Sequence, residues 1–151
     1  MPRIVREAEV TWNGTMARGA GTITAATSGA FTSLPYSFPT RIGSPEGRTS
    51  PEELLAAAHG GCFAMSLASE LSNAELPPDE LRVRCTIVMD EVDGKGHQIV
   101  SSLLAITAAG AGIGETELAT AIAAADAGCP FSTLLHAAGA STEITTTEGT
   151  G

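Results

Sequence analysis

Three cysteines, Cys62, Cys85 and Cys129, are the residues of this 151-residue sequence whose side chains could perform redox chemistry. An odd number of cysteines, in a chain whose N-terminus carries no apolar run, argues against a structural disulfide framework. We therefore expect free thiols, which in a reducing compartment are either small buried hydrophobes or reactive groups. The surroundings of each cysteine distinguish these two cases.

Cys85 and Cys62 can each be interpreted as core residues. Cys85 lies between Val83 and Ile87 on the apolar face of a predicted strand, a position that favours a buried, inert thiol. Cys62 lies in the middle of a predicted helix, beyond the first turn in which the helix dipole stabilises a thiolate. The preceding pair Gly60-Gly61 costs about 1 kcal/mol of helix stability per glycine. This cost indicates that a backbone or a substrate approaches the turn before Cys62 closely.

Cys129 differs from the other two cysteines in its local sequence. It stands directly before Pro130, and proline is favoured at the first position of a helix. Cys129 therefore occupies the expected N-cap, where unpaired backbone N–H groups lower the pKa of a thiol. The alternative is that Cys129 only caps the helix.

The helix that carries Cys62 has a well-defined start. Ser50 suits the N-cap, Pro51 the first helical position and Glu53 the reciprocal position of a capping box. The helix is expected to end near Asn73, because Pro77-Pro78 prevents its continuation. One face of the helix groups the following residues: Leu54, Leu55, Ala58, Cys62, Met65, Ser66 and Ser69.

The other elements place strands before the long helix and a hairpin, two shorter helices and a strand after it. This order predicts an α+β fold rather than a βαβ repeat. The predicted strands are 4–12, 20–27, Tyr36–Ile42, 81–92, 97–107 and Ser141–Thr147, with a hairpin turn at 93–96. The predicted shorter helices are Glu115–Ala127, capped by Gly128, and Phe131–Ala138. The last five residues are expected to be frayed.

The composition indicates a single domain, residues 1–151, with an aliphatic core. Hydrophobic residues make up 43% of the chain and aromatic residues only 4%. With 8 basic and 17 acidic residues the net charge is −9, which argues against nucleic acid or an anionic membrane surface as a partner. The sequence has neither a signal-peptide pattern nor the roughly 18 consecutive apolar residues of a membrane span. We therefore expect a soluble, cytoplasmic protein.

Two blocks of sequence resemble the OsmC/Ohr family of hydroperoxide-reducing thiol enzymes. They are Thr40-Arg41 with Thr49–Met65, and the Gly-Cys-Pro block Ala127–Ser132. Segments 12–14, 19–22 and 36–38 are more similar to the OsmC branch of the family, and the resemblance covers nearly the whole chain. It implies the OsmC-like fold, in which antiparallel sheets wrap around long central helices in an intertwined homodimer. Its active sites would lie at the subunit interface.

The resemblance also implies an activity and roles for four residues. Members of the family reduce organic hydroperoxides, and more weakly hydrogen peroxide, to alcohols in oxidative stress defence. Cys62 would be the peroxidatic thiolate, Cys129 the resolving thiol, Arg41 the residue that activates the thiolate and Glu52 the residue that holds the arginine. No cofactor or metal is implied. An external dithiol, of the lipoyl type in this family, would reduce the disulfide between Cys62 and Cys129.

Elementary physical chemistry constrains these roles. A guanidinium within about 4–6 Å of a thiol favours the thiolate, and its planar fork can engage the sulfur, a carboxylate and a peroxide oxygen together. Arg48 is the second candidate for the residue that activates the thiolate. Its other interpretation is a solvated charge on the protein surface. Glu52 precedes Cys62 by about 15 Å along a helix, so an arginine held by Glu52 hardly reaches Cys62 of the same chain. We therefore hypothesise that Arg41 and Glu52 serve the thiol of a second subunit.

Three apolar residues close to the motif cysteines have two interpretations. Phe63, Met65 and Phe131 could line a pocket that favours an organic hydroperoxide over the small, polar hydrogen peroxide. They could equally be core residues.

Three other function classes compete with a peroxidase. The first is a metal site, in which His59 and Cys62 on one helix face combine with Cys129 and His136. The sequence contains no Cys-x-x-Cys or His-x-x-x-His pair, so we interpret His59 as a packing or hydrogen-bonding residue and His136 as a cation at a helix end. The others are a binding protein with inert cysteines and a cysteine hydrolase, which lacks an identifiable group to orient a histidine.

Overall fold

The structure is a computed structural model, and it describes residues 1–147. The chain divides into two compact units, Met1–Pro51 and Glu52–Gly151. The frayed end expected over 147–151 lies outside the described residues except for Thr147, whose backbone N–H donates to the carbonyl of Ile106 at 2.9 Å. The elements are β1 (Glu9–Asn13), β2 (Ala20–Thr24), β3 (Leu34–Tyr36), α1 (Phe38–Ile42), α2 (Pro51–Asn73), β4 (Glu80–Val92), β5 (Gly96–Ala109), α3 (Glu115–Gly128), α4 (Pro130–Ala137) and β6 (Ser141–Thr146). Their order confirms the predicted α+β class.

The N-terminal unit carries an antiparallel sheet of order β1-β2-β3, followed by helix α1. The strand expected over Tyr36–Ile42 is wrong from Phe38 onward, where α1 forms instead. Ser37 caps this helix, because its hydroxyl accepts a hydrogen bond from the backbone N–H of Thr40. Pro39 lies in the first turn, where its missing N–H leaves no helical hydrogen bond unmade.

The C-terminal unit combines helix α2 with a mixed sheet of order β4-β5-β6. Strands β4 and β5 form the predicted hairpin: the N–H of Lys95 donates to the carbonyl of Val92 at 2.9 Å, and Gly94 has a left-handed φ of 76°. Strand β6 pairs with β5 in parallel. The resemblance implied antiparallel sheets, and for this pair of strands that expectation is wrong. The two strands can run parallel because the chain passes through α3 and α4 between them.

The core of the C-terminal unit lies where α2 and α3 pack on this sheet. The buried face of α2 repeats every three to four residues, as expected for a helix with one apolar side, and consists of His59, Gly60, Phe63, Leu67 and Leu71. This buried face differs from the face that the sequence analysis grouped together. Met65 belongs to the grouped face and is 72% exposed. The buried residues that form the core cluster are Phe63, Leu67, Leu71, Leu104, Ile106, Ala121, Ala125 and Cys129.

Phe63 is the largest fully buried side chain of this core. Phe63→Ala is expected to lower the free energy of unfolding by about 3–5 kcal/mol, because it removes buried aromatic surface and leaves a cavity. Chemical denaturation followed by circular dichroism measures the change. Val5→Ala is the control, since Val5 is exposed outside any helix or strand, and it should change stability by no more than about 0.5 kcal/mol. Equal effects of the two substitutions would contradict the assignment of Phe63 to the core.

Helix α2 is long and apolar enough to cross a membrane by length and composition alone. Helices α3 and α4 pass the same test only together, and they are bent by 66° at their junction. Core helices of soluble proteins also meet this criterion. Inside this chain, 28% of the apolar stretch of α2 is buried. The finding by itself therefore does not indicate a membrane protein.

Candidate active site

Cys62 lies half-buried in the middle of α2, next to the fully buried Phe63. The hydroxyl of Ser66, about one turn further along α2, lies near the Cys62 sulfur and lowers its pKa. The backbone N–H of Phe131 also lies near the sulfur and lowers its pKa. Because Phe131 belongs to the first turn of α4, the sulfur of Cys62 faces the start of that helix.

Cys129 is fully buried at the junction of α3 and α4, where the two helices are bent by 66°. It is the N-cap residue of α4, as predicted, with φ −81° and ψ 116° and with Pro130 following it. Within the described residues its thiol makes no capping hydrogen bond to α4. Its side chain instead lies close enough to that of Cys62 to raise the pKa of the Cys62 thiol, and all three cysteines are free thiols. The fold therefore brings together the two cysteines that the sequence singled out.

The pKa of the Cys62 thiol is raised above its ordinary value. Burial is the largest cause and the contact with Cys129 the next, while the hydrogen bonds from Phe131 and Ser66 lower the pKa only in part. A guanidinium beside the sulfur would oppose this shift and favour the thiolate at neutral pH.

Arg41 and Glu52, the other two predicted site residues, belong to different units. Arg41 is exposed in the last turn of α1. Glu52 is half-buried in the first turn of α2. Both side chains take part in interactions, and their roles toward Cys62 stay predictions. The same holds for the capping roles of Ser50 and Glu53.

An aromatic cavity beside Arg41 is a feature that sequence reasoning missed. Its volume is about 240 Å³, and Trp12, Tyr36 and Phe38 line it together with Arg41. The rings of Trp12 and Tyr36 have centroids 5.3 Å apart and are tilted by 56°. Gly21 lies opposite both residues in the sheet, and a Cβ there would come within 2.6 Å of the Tyr36 ring. The segments 12–14, 19–22 and 36–38 contained this signal, but their strand register was needed to combine it.

Arg48, the alternative activating residue, is exposed and lines a different cavity of the N-terminal unit. This open cavity of about 670 Å³ also includes Arg18. The aromatic lining described above therefore accompanies Arg41 and not Arg48.

The three apolar residues near the cysteines occupy three different environments. Phe63 is fully buried, so its core interpretation is correct. Met65 is 72% exposed within the chain. Phe131 is half-buried against the core, and its backbone N–H lies near enough to Cys62 to lower the pKa of that thiol. They do not form one common lining of the thiol within this chain.

His59 is a buried hydrogen-bonding residue, as interpreted from the sequence. Its Nδ1 lies 2.6 Å from Oγ of Ser102 on β5, and its Nε2 lies 2.9 Å from Oγ of Ser132 on α4. Burial lowers the pKa of His59, and the nearby charge of Asp126 offsets this only in part. The imidazole is therefore neutral at pH 7 and bridges two serine hydroxyls.

Cys85 is half-buried on β4, and its surroundings support the structural interpretation. Its sulfur lies 3.3 Å from Oγ of Ser102 and 3.8 Å from Nδ1 of His59. Burial raises the pKa of the Cys85 thiol, and the hydrogen bonds from Ser102 and from the backbone of Gly60 lower it only in part. A thiol of this kind is protonated at neutral pH and therefore a weak nucleophile.

The geometry does not support the metal site or the hydrolase. Both ring nitrogens of His59 are engaged by serine hydroxyls, so neither presents a free lone pair toward Cys62. In the part of the chain that the structure describes, no group of three or more His, Cys, Asp or Glu side chains could hold a metal ion.

Comparisons with known proteins agree with this arrangement. Residues 43–145 match the protein family described as OsmC-like protein. The chain is 36% identical over 134 residues to the peroxiredoxin OsmC of Escherichia coli strain K12, and the match covers 89% of this chain and 92% of that protein.

Two solved structures of organic hydroperoxide resistance proteins show the same fold. The match to the protein from Elizabethkingia anophelis has a TM-score of 0.76 at 18% identity, and it covers 98% of this chain and 100% of that protein's chain. The match to OhrB of Bacillus subtilis has a TM-score of 0.73 at 19% identity, and it covers 93% of this chain and 98% of the OhrB chain. The OsmC-like fold expected from the sequence is thereby confirmed.

Proposed function

This chain belongs to the family of OsmC-like proteins, and we propose that it is a thiol peroxidase in which Cys62 reacts with organic hydroperoxides and Cys129 resolves the product. The observation that carries the proposal is the proximity of the two free thiols in the C-terminal unit, which is close enough for Cys129 to raise the pKa of Cys62. The peroxiredoxin of Escherichia coli and the organic hydroperoxide resistance proteins that share its fold support the reaction class. The enzyme acts in defence against oxidative stress.

The proposed cycle has three steps, which are the oxidation of Cys62, the formation of the disulfide and its reduction. The Cys62 thiolate attacks the terminal oxygen of the hydroperoxide, the O–O bond breaks, and the alkoxide takes a proton and leaves as the alcohol. Cys62 is now a sulfenic acid, and the Cys129 thiol attacks its sulfur, forming a disulfide and releasing water. An external dithiol reduces the disulfide by thiol exchange and is itself oxidised to a disulfide. We propose a lipoyl-type dithiol for this step.

Arg41 is the proposed source of the positive charge that Cys62 requires. Burial and the contact with Cys129 raise the pKa of Cys62, so a guanidinium beside the sulfur is needed to hold a thiolate at neutral pH. In this proposal Glu52 orients that guanidinium by accepting its hydrogen bonds. The length of α2 between Glu52 and Cys62 supports action on the thiol of a second subunit.

A homodimer is the proposed assembly. Helix α2 is apolar along its length but only partly buried inside the chain, and Met65 is 72% exposed on it. A second copy packed antiparallel against α2 would cover this surface and bring one chain's Glu52 toward the other chain's Cys62. The whole chain, residues 1–151, is the proposed domain, since the match to the Escherichia coli relative covers 89% of it. We propose that the dimer is cytoplasmic.

The aromatic cavity beside Arg41 supports an organic hydroperoxide as the substrate. A cavity lined by Trp12, Tyr36 and Phe38 offers apolar surface that an alkyl or aryl group can cover. Hydrogen peroxide has no such group and would gain nothing from these contacts. The preference for organic hydroperoxides thus follows from apolar burial next to the cation that activates the thiol.

Mass spectrometry tests the proposed function directly. Treatment of the reduced protein with one equivalent of cumene hydroperoxide should produce a peptide crosslink between Cys62 and Cys129 and one equivalent of cumyl alcohol. Cys85 should stay a free thiol in the same sample, which makes it an internal control. Unchanged thiols, or a crosslink that involves Cys85 instead, would contradict the assignment.

A further inference from the structure

The buried imidazole of His59 joins the two helices that carry the reactive cysteines. His59 is fully buried on α2, and its Nε2 lies 2.9 Å from Oγ of Ser132, which is fully buried on α4. Its other nitrogen, Nδ1, lies 2.6 Å from Oγ of Ser102 on β5. One side chain thus connects α2 both to α4 and to the sheet.

The position of this hydrogen bond relative to the cysteines is the key observation. His59 precedes Cys62 by three residues on α2, and Ser132 follows Cys129 by three residues at the start of α4. Residues three apart on a helix lie on the same face. The bond between His59 and Ser132 and the contact between Cys62 and Cys129 are therefore two neighbouring links between the same two helices.

The network leaves little freedom in how α4 sits on α2. A neutral imidazole has one donor and one acceptor nitrogen, so one serine hydroxyl donates to His59 and the other accepts from it. Within the protein interior an unpaired hydroxyl or imidazole nitrogen is strongly unfavourable. The backbone N–H of Thr133 donates to the carbonyl of Cys129 at 3.0 Å, so Cys129 is part of the first hydrogen-bonded turn of α4 and moves with this helix.

We propose that His59 and Ser132 are positioning residues, whose hydrogen bond holds Cys129 against Cys62 so that disulfide formation outruns over-oxidation. The inference rests on the proposed peroxidase function. The sulfur that His59 approaches is that of Cys85, 3.8 Å from Nδ1, so the histidine acts through the placement of α4 and not on the reacting atoms.

Two reactions compete for the Cys62 sulfenic acid. In one, the Cys129 thiol displaces hydroxide from the sulfenic sulfur, and the products are the disulfide and water. In the other, the sulfenic acid attacks a second hydroperoxide, and the products are a sulfinic acid and an alcohol. Only the first depends on how closely α4 holds Cys129, because an intramolecular reaction is governed by the geometry of its two partners. Loosening α4 therefore shifts the balance toward the sulfinic acid.

Ser132→Ala and Ser102→Ala form a matched pair for testing this inference. Both remove a fully buried hydroxyl from the same imidazole, but only Ser132 lies on α4. The reduced variants and the wild type are treated with excess cumene hydroperoxide, and intact-protein mass spectrometry gives the ratio of sulfinic acid to disulfide. We expect Ser132→Ala to raise this ratio about tenfold, which corresponds to one lost hydrogen bond. Ser102→Ala should leave the ratio within about twofold of wild type, and the initial loss of the Cys62 thiol should be unchanged in both variants.

Two substitutions of the histidine provide the test if Ser132→Ala does not fold. The amide of glutamine can reach the place of Nε2 and that of asparagine the place of Nδ1, so His59→Gln retains the bond to Ser132 and His59→Asn retains the bond to Ser102. We expect a near wild-type ratio for His59→Gln and an increased ratio for His59→Asn.

Equal ratios in Ser132→Ala, Ser102→Ala and wild type would overturn the positioning role, and so would equal shifts in both serine variants. In either case the wild type still forms the disulfide, and the proposed function stands. A wild-type protein that forms neither sulfenic acid nor disulfide would overturn the proposed function together with this inference.

Discussion

Cys62→Ser is expected to reduce hydroperoxide consumption by at least about three orders of magnitude. A serine hydroxyl is not ionised at neutral pH and has no sulfur to form a sulfenic acid, so both the attack on the O–O bond and the disulfide step are lost. The measurement is the rate of cumene hydroperoxide loss with dithiothreitol as reductant.

Cys85→Ser is the matched control for this prediction. The hydroxyl can keep the contact with Ser102, which lies 3.3 Å from the Cys85 sulfur, so the fold and the rate should be preserved within about twofold. The pKa of Cys85 is raised by burial, so little reactivity is lost with this thiol. Full activity in Cys62→Ser, or inactivity in Cys85→Ser alone, would show that the cysteines have been sorted wrongly.

Arg41→Ala is expected to lower the rate at pH 7 by about 10- to 100-fold, since it removes the charge that stabilises the thiolate. Burial and the contact with Cys129 raise the pKa of Cys62, so without Arg41 the thiol is mostly protonated at neutral pH. The thiolate fraction then grows with pH until it passes the raised pKa. The rate of the variant should therefore increase about tenfold per pH unit through the neutral range.

The pH profile distinguishes activation of the thiol from substrate binding. The wild type should reach its plateau at a lower pH than Arg41→Ala, because the guanidinium lowers the pKa of Cys62. Arg48→Ala is the matched control, since Arg48 is also an exposed arginine of the N-terminal unit but lines a different cavity. If Arg48→Ala showed the displaced profile and Arg41→Ala the normal one, the roles of the two arginines would be exchanged.

Mixed dimers test whether Arg41 acts across the subunit interface. Chains with Cys62→Ser are unfolded and refolded together with chains that carry Arg41→Ala, and the activity of the mixture is compared with that of each variant alone. If Arg41 of one chain serves Cys62 of the other, each mixed dimer contains one complete site, and part of the activity returns. No recovery despite mixed dimers would assign Arg41 to the thiol of its own chain.

Local signals in the sequence were sufficient for several elements of the fold. Pro51 and Pro77-Pro78 bracket helix α2, which runs from Pro51 to Asn73. The hairpin of β4 and β5 formed at the predicted Gly-rich turn, and Cys129 occupies the N-cap before Pro130. These features depend on residues only a few positions apart, so backbone preferences alone determine them.

Other features were wrong or missing, one for a local reason and the others because they depend on distant partners. The strand expected over Tyr36–Ile42 ends at Tyr36, and Phe38–Ile42 form helix α1, which Ser37 caps by accepting a hydrogen bond from the N–H of Thr40. The parallel pairing of β6 with β5 and the buried face of α2 follow from packing against the rest of the C-terminal unit. Short-range patterns do not report which of two apolar faces will be covered.

The sequence by itself indicated thiol chemistry, because Cys62 and Cys129 stand in two blocks that resemble the OsmC/Ohr family and the chain has no Cys-x-x-Cys spacing. Only the tertiary structure decided which thiols meet and what holds them there. The contact between Cys62 and Cys129 and the bridge from His59 to Ser132 join residues far apart in sequence. Such contacts form only when the helices pack on the sheet, since burial then forces each polar group to find its partner.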